Sequence, residues 1–345
     1  MINRHDISVV ICAYSADRWD DLVAAVESLR SQTRQAAEIV VVIDHNPDLL
    51  ERARAHLAGV RVIENVQTQG LSGARNSGIA AAQGSIIAFL DDDAVADPQW
   101  LATLAAGYSD PNVLGVGGPV EPAWVTGRPR WFPAEFDWVV GCTFRGMPEE
   151  PSAVLKLIGC NMSFRREVFD VVDGFRSDLG RVGAIPLASE ETEFSIRVCQ
   201  RFPDKTLLYD PRARVYHRVP ARRAEWRYFR SRCYGEGLSK ARVAQLVGAG
   251  DGLSTERSYT MRTLPAGIAQ GAIDTVRRGE MSGMARAGTI VAGLGFTVAG
   301  YLVGRLTLSM QPQVGAARPS RTAAAANYTD RGGTATLVPH DVELQ

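Results

Sequence analysis

The most informative stretch of this chain reads Ile86-Ile87-Ala88-Phe89-Leu90-Asp91-Asp92-Asp93. Five consecutive apolar residues are typical of a central β-strand that is buried on both faces. Three carboxylates follow at the carboxyl end of that strand, where open α/β sheets bind their ligands. Because clustered like charges are unfavourable without a cation, the pattern favours Mg²⁺ or Mn²⁺ bound to a diphosphate. A solvated acidic turn is the structural alternative.

The alternation of β-branched runs with helical periods across residues 7–117 predicts a parallel sheet. The runs are Ile7–Cys12, Glu38–Ile43, Val60–Glu64 and Ile86–Leu90. Between them, apolar residues recur at helical spacing. We therefore expect an α/β fold with a mostly parallel central sheet flanked by helices.

The overall composition excludes several classes of protein. The 345 residues include 38 basic and 38 acidic side chains, so the net charge of zero predicts no nucleic-acid partner. The five cysteines form no C-x-x-C pair, which argues against a disulfide scaffold or a zinc ribbon and fits a reduced cytosolic environment. The polar N-terminus is too short for a signal peptide, so we expect the catalytic part to face the cytoplasm.

Two further features are expected at the same edge of the sheet. Asp44 ends the run Glu38–Ile43 and is placed to accept hydrogen bonds from a base or ribose, although Asp also stabilises ordinary strand-end turns. The stretch Gly70–Asn76 begins a helix whose N-terminus favours phosphate, and Arg75 adds positive charge there. An ordinary helix cap explains the Gly70–Asn76 stretch equally well.

Two residues in the second half of the chain are candidates for chemistry. Glu191, in the stretch Ser189–Phe194, is a candidate general base, whereas acids in the first turn of a helix capped by Ser189 are the structural alternative. His217 follows a possible strand and supplies a third, neutral metal ligand if it faces the acidic triplet. A lone histidine is more often structural.

Three tryptophans mark a long loop near the middle of the chain. Trp124, Trp131 and Trp138 lie among prolines in residues 119–146. Their rings either stack on sugar faces or pack the loop onto the sheet.

The C-terminal part of the chain suggests contact with a membrane. Residues 212–242 hold ten basic and two acidic side chains, and Ala287–Gly304 contains no charge. Two weakly apolar helices therefore either lie on the anionic inner leaflet or form a shallow hairpin, and Gly300-x-x-x-Gly304 permits close helix packing. A soluble helical cap on the catalytic domain, or a dimer contact, is the rival account.

These segments predict three regions. A catalytic domain spans residues 1–245, with a first half at about 1–118 that contains the acidic triplet and a second half at about 119–245 that contains Glu191. A helical, membrane-associated region spans 255–310, and a disordered tail rich in Pro, Ala, Arg, Thr and Gly spans 311–345.

The ordered set of motifs resembles family 2 inverting glycosyltransferases, which have the nucleotide-diphospho-sugar transferase (glycosyltransferase A) fold. The resemblance covers residues 7–240 and implies that the first half, about 1–118, is the nucleotide-sugar half and the second, about 119–245, the acceptor half. It rests on Ser8–Tyr14, Ser28-Leu29 with Gln32, Val41–Asp44, Gly73–Gly78, Leu90–Asp93, Gly159–Arg165, Gly174-Phe175 and Glu190-Glu191.

The resemblance implies a role for each matching position. Residues on the nucleotide side are Ala13, Tyr14, Asp44, Arg75, Asp91 and Asp92. Asp91 and Asp93, with His217 as in some relatives, would hold Mn²⁺ or Mg²⁺ against the diphosphate. Glu191 would be the base, where the family usually has Asp. Since no clear Q-x-x-R-W motif of processive synthases is present, addition of a single sugar is favoured over polymerisation.

The sequence thus predicts a metal-dependent inverting hexosyltransferase at the cytoplasmic face of the cell membrane, held peripherally or by its C-terminal region. Its donor would be a nucleotide-diphosphate sugar. Its acceptor would be a hydroxyl of a lipid-linked glycan or glycolipid in cell-surface polysaccharide assembly. A polyprenyl-phosphate sugar synthase and a catalytically silent sugar-nucleotide binding protein are the alternatives.

Overall fold

The computed structural model describes residues 6–179, 189–248 and 258–310. The described residues up to Leu308 form one compact unit. The predicted disordered tail at 311–345 lies outside the described residues.

The chain alternates strands and helices through its first half, as the sequence predicts. The strands are β1 (Ile7–Ala13), β2 (Glu38–Ile43), β3 (Arg61–Glu64), β4 (Ile86–Asp91), β5 (Ala94–Ala96), β6 (Val113–Gly117), β7 (Val120–Trp124), β8 (Ser152–Val154), β9 (Asn161–Arg165), β10 (Thr206–Tyr209) and β11 (Val215–Val219). The helices are α1 (Trp19–Arg30), α2 (Pro47–His56), α3 (Leu71–Ala81), α4 (Trp100–Gly107), α5 (Arg166–Val172), α6 (Glu190–Arg201), α7 (Trp226–Val247), α8 (Leu264–Arg278) and α9 (Met281–Met310).

The central sheet has the order β3-β2-β1-β4-β9-β6-β10-β8 and is flanked by helices, which confirms the predicted α/β fold. Strands β3, β2, β1 and β4 are parallel. Strand β9 runs antiparallel to both of its neighbours, so the sheet is mixed beyond β4. Strands from both predicted halves of the catalytic region share this sheet, and the division into halves stays a prediction.

A second, three-stranded sheet of order β5-β11-β7 extends from the carboxyl end of β4. Strand β5 begins directly after Asp93 and pairs antiparallel with β11, so that Ala94 lies opposite His217. The Arg218 N–H donates to the Asp93 carbonyl oxygen at 2.8 Å. This pairing brings a histidine more than 120 positions away in sequence next to the acidic triplet.

The tryptophan-containing segment, residues 119–146, packs against helix α7 rather than onto the sheet alone. Trp131 lies edge-on to Trp226 and Phe229, at ring-centroid distances of 5.5 and 5.7 Å. The Trp138 indole N–H donates to the Tyr259 hydroxyl at 2.9 Å. These rings join the loop to the C-terminal part of the chain.

Helix α9 has one packed face and one exposed face. Gly300 lies against the backbone of α7, where an added Cβ would collide with the Tyr234 carbonyl oxygen, and Gly304 faces Leu238 and Ala241. The predicted close packing at Gly300-x-x-x-Gly304 is therefore confirmed and occurs within the chain. The opposite face carries exposed apolar side chains at Met284, Val291, Val298, Leu302 and Leu306.

Helix α9 is also long and apolar enough, over Met281–Thr307, to cross a membrane by length and composition. Its mean hydropathy is 1.6, and a third of the relevant window is buried in the protein. Core helices of soluble proteins also meet these criteria of length and composition. The criteria therefore do not distinguish a membrane-associated helix from a helical cap on a soluble domain.

We expect Gly300→Ala to destabilise the protein by about 1–3 kcal/mol, because the added methyl group forces α9 away from α7. Gly295→Ala is the matched control: nothing lies within 4 Å of its Cβ position. Removing glycine from an exposed helix position should stabilise the fold by about 0.5–1 kcal/mol. Chemical denaturation of both variants measures the difference, and equal effects would contradict the packing described.

Candidate active site

Three predicted metal ligands lie together at the carboxyl end of β4. One ligand atom from each of Asp91, Asp93 and His217 lies within 4.8 Å of the others. The His217 Nε2 atom is 3.1 Å from Asp93 Oδ1. Two carboxylate oxygens and an imidazole nitrogen suit Mn²⁺ well, and Mg²⁺ accepts the carboxylates, so these residues fit the implied cation.

Two arginines that the sequence analysis missed balance the charge of this group. Arg18 lies 3.2 Å from an Asp93 oxygen, and the buried Arg223 lies 3.6 Å from the same oxygen. Although burial alone raises the pKa of Asp93, its hydrogen bond to His217 and these cations hold the pKa well below its usual range. Arg18 precedes α1 and Arg223 is one of many arginines in residues 212–242, so neither position was distinguishable in sequence.

Asp92, which the sequence predicts on the nucleotide side, is buried against Arg18. Its side chain is 3% exposed and accepts a hydrogen bond from Arg18 Nη1 at 2.7 Å. Burial raises the pKa of Asp92 to about 7, against the lowering effect of Arg18. Asp92 therefore holds Arg18 beside Asp93, and its predicted place on the nucleotide side stays a prediction.

The remaining predicted nucleotide-side residues lie at the ends of β1 and β2. Ala13 pairs in register with Ile43, and the Asp44 N–H donates to the Ala13 carbonyl oxygen at 2.8 Å. Tyr14 comes next and is 53% exposed. The Asp44 carboxylate accepts hydrogen bonds from Asn65 Nδ2 at 2.6 Å and from the Gly70 N–H at 2.9 Å. An exposed ring and a fixed carboxylate thus lie on adjacent strands.

Arg75 connects the metal-ligand group, which consists of Asp91, Asp93 and His217, to the start of helix α6. Its guanidinium is buried, with Nη2 3.6 Å from Asp91 Oδ1 and Nη1 donating to Glu190 Oε1 at 2.9 Å. It also donates to the Gly159 carbonyl oxygen at 3.2 Å. A side chain at Gly159 would crowd both Arg75 and Glu191. Arg75 therefore links the acidic triplet to the Glu190-Glu191 pair.

The first turn of α6 does not behave as an ordinary capped helix start. Ser189 makes no side-chain cap and has a φ of 129°, which is strained for a residue with a side chain. Glu190 takes the bond from Arg75, whereas Glu191 is half-buried and accepts from Thr192 Oγ1 at 3.2 Å. Burial, together with the charge of Glu190, raises the pKa of Glu191 to about 7. Such a pKa is suited to a general base at neutral pH.

The chain is similar to known proteins over most of its length. The family model described as glycosyl transferase family 2 matches residues 8–172. A glucosyl-dolichyl phosphate glucuronosyltransferase from Haloferax volcanii is 35% identical over 245 residues, which is 70% of this chain and 78% of the relative. A succinoglycan biosynthesis protein from Rhizobium meliloti is 25% identical over 247 residues, covering 69% of this chain and 74% of that protein.

The fold is also similar to a solved structure. A mannosyltransferase from Pyrobaculum calidifontis, in complex with GDP-Man and Mn²⁺, aligns over 88% of this chain and 87% of its own, with a TM-score of 0.54. The two sequences are 15% identical, so this likeness concerns the fold alone.

Proposed function

Since this chain belongs to glycosyl transferase family 2, we propose that it moves one sugar from a nucleotide-diphosphate donor to a hydroxyl of a lipid-linked glycan, with inversion at the anomeric carbon. The observation that carries this proposal is the position of Arg75. A single guanidinium contacts both Asp91 of the metal-ligand group and Glu190 beside the base. Donor and acceptor chemistry can therefore meet in one cleft.

The donor side would be organised by the carboxyl ends of β1, β2 and β4. The exposed ring of Tyr14 would stack on the nucleobase of the donor. The Asp44 carboxylate, which is held in place by Asn65 and Gly70, would accept hydrogen bonds from the nucleobase or the ribose. Asp91, Asp93 and His217 would hold Mn²⁺ or Mg²⁺. When bound, the cation supplies positive charge to the diphosphate as it leaves. Arg75 adds a second, fixed positive charge next to Asp91.

Glu191 would remove the proton from the acceptor hydroxyl. With a pKa of about 7, its carboxylate is largely ionised just above neutral pH and is still basic enough to take a proton. The acceptor oxygen then forms the bond to the anomeric carbon while the bond to the diphosphate breaks. One displacement from the opposite face inverts the configuration.

The acceptor class is supported by relatives rather than by a bound molecule. The Haloferax volcanii relative is named for glucosyl-dolichyl phosphate, and a further match is named for a diphosphoundecaprenol-linked sugar. Both names describe sugars carried on lipid phosphates. We therefore propose a lipid-linked acceptor for this chain as well.

A panel of nucleotide sugars tests the proposed function. The purified chain is incubated with each donor and Mn²⁺, Mg²⁺ or a chelator, and the release of nucleoside diphosphate is measured. We expect metal-dependent release with at least one donor and none with the chelator. No release from any donor would favour a catalytically silent binding protein.

We further propose that the exposed face of α9 lies against the cytoplasmic surface of the cell membrane. The apolar side chains on this face are exposed. Gly288 and Gly295 of the same helix are also unpacked, because no atom lies within 4 Å of the position that a Cβ would take at either residue. Helices with one apolar and one packed face lie readily in the interface of a bilayer. The exposed arginines of the segment 212–242, at positions 212, 214, 218, 222, 227 and 230, would add attraction to anionic lipids.

Val298→Asp should weaken binding to vesicles containing anionic lipid by about tenfold, because a charge replaces apolar contact with the bilayer. Val171→Asp is the matched control, since Val171 is equally exposed but lies on α5. Vesicle flotation measures both. Equal binding of wild type and Val298→Asp would support the soluble-cap account instead.

A further inference from the structure

A large cavity lies between the catalytic region and the C-terminal helices. Its volume is about 740 Å³, within the range of roughly 300–1,000 Å³ that is typical of ligand pockets. Strand β10 and helix α6 contribute apolar side chains such as Leu207 and Ile196. Trp138 and Leu294, from the tryptophan-containing segment and α9, close the other side. None of the donor-side residues described above lines it.

The charges of this cavity are unusual for this chain. The sequence contains three lysines, at positions 156, 205 and 240, against 35 arginines. All three lysines line the cavity; among the described residues no arginine lines it, and Glu236 is the one carboxylate that does. An apolar chamber with more positive than negative side chains is complementary to a molecule that has an apolar chain and a phosphate.

The lysine ammonium groups are suited to an anion by their chemistry. Lys205 Nζ donates to Asn112 Oδ1 at 3.1 Å and to the Pro111 carbonyl oxygen at 3.3 Å, and Lys240 Nζ is 3.3 Å from Glu236. An ammonium group carries three N–H donors and can exchange such partners for the oxygens of a phosphate. Lysine is a compact and mobile charge that follows a phosphate without the fixed fork of arginine.

Elements that form the cavity wall also carry or adjoin Glu191, the proposed general base. Lys156 is three residues before Gly159, whose backbone contacts Arg75 and adjoins Glu191. Helix α6 carries Glu191 in its first turn and Ile196 and Cys199 in the cavity wall. Glu236, in that wall, is also close enough to contribute to the raised pKa of Glu191, after burial and Glu190.

The cavity is also continuous with the exposed apolar helix. Leu294 and Thr297 of α9 line the cavity, and Val298 and Leu302 of the same helix lie on its exposed apolar face. A chain too long for the cavity can therefore continue along α9 into a bilayer.

We propose that this cavity is the acceptor-lipid site. It holds the first part of a long isoprenoid chain, and Lys156, Lys205 and Lys240 bind the phosphate that joins the chain to the acceptor saccharide. This inference rests on the proposed function and adds to it the residues that select a lipid-linked acceptor.

The test measures dissociation constants of the full-length chain in detergent for three radiolabelled probes. The probes are a long-chain isoprenyl phosphate, the corresponding uncharged isoprenol and a short-chain prenyl phosphate. We expect the long-chain phosphate to bind at least about tenfold more tightly than either of the other probes. It alone combines a chain that fills the apolar part of the cavity with a phosphate that binds the lysines. Equal binding of the isoprenol would overturn the role of the lysines, and equal binding of the short chain would overturn the role of the cavity.

Variants locate the site. Lys156→Gln should weaken binding of the long-chain phosphate by about tenfold and Lys156→Arg by less, whereas Arg201→Gln, an exposed cation on α6 outside the cavity, should not change it. Leu294→Trp should fill the cavity and weaken the long-chain probe more than the short one. A loss in Val298→Asp as large as that in Leu294→Trp would place the lipid on the outer face of α9 and overturn the proposal.

Hydrolysis of the donor by the wild-type chain distinguishes a failure of the proposed lipid site from a failure of the proposed transferase function. Release of nucleoside diphosphate together with equal affinity for long and short phosphates contradicts the lipid site and leaves the proposed function standing. Tight and lysine-dependent lipid binding without release from any nucleotide sugar supports the lipid site and contradicts the transferase.

Discussion

Glu191→Gln is expected to lower the rate of sugar transfer by about 10²–10⁴-fold, the usual contribution of a general base. The amide has nearly the shape of the carboxylate but cannot take a proton. Because Arg75 binds Glu190 rather than Glu191, the link between the two sides of the cleft should survive the change. Single-turnover transfer with a saturating donor measures the loss in the chemical step.

The pH dependence gives an independent reading of the same residue. Burial and Glu190 raise the pKa of Glu191 to about 7, so its basic form is present above that pH and is lost as the pH falls below it. The wild-type rate should therefore rise about tenfold per pH unit below 7 and level off above it. The residual rate of Glu191→Gln should lack this rise.

Glu191→Asp serves as the control, since Asp is usual at this position in the family that the chain resembles. It keeps an ionisable carboxylate, and we expect it to retain much more activity than Glu191→Gln. A wild-type rate in Glu191→Gln would remove Glu191 as the base. That result would favour a polyprenyl-phosphate sugar synthase, whose phosphate acceptor needs little help in losing a proton.

Asp93→Asn is expected to abolish Mn²⁺ binding and to lower transfer by about 10²–10³-fold or more. The low pKa of Asp93 keeps it ionised over the whole working range of pH, and the amide removes that charge from the group formed with Asp91 and His217. Titration calorimetry with Mn²⁺ measures binding separately from transfer.

Asp92→Asn is the adjacent control. Asp92 is buried against Arg18 and lies outside the group of ligand atoms, and its pKa of about 7 means that a neutral side chain is already tolerated there. Mn²⁺ affinity should therefore change by a few-fold at most. The reverse pattern, with binding lost in Asp92→Asn and kept in Asp93→Asn, would contradict the assignment of ligands.

Much of the fold was readable from local pattern. The apolar run Ile86–Leu90 became β4, and the run Glu38–Ile43 became β2 with the same bounds. The ends of parallel strands share one edge of a sheet, so the sequence alone predicts that Asp44 and Asp91 lie near each other. The antiparallel insertion of β9 was not expected, because strand direction depends on connections that periodicity does not report.

The sequence by itself determined the chemical inventory: buried strands ending in carboxylates, a glutamate pair before an amphipathic helix, and an uncharged C-terminal stretch. These follow from periodicity and side-chain type, which act over a few residues. Only the tertiary structure decided which groups meet. The pairing of β5 with β11 carried His217 to Asp93, burial turned Asp92 towards Arg18, and three distant lysines came to line one cavity. Such contacts depend on long-range packing, where the free energy of burying each charge is set by neighbours that are remote along the chain.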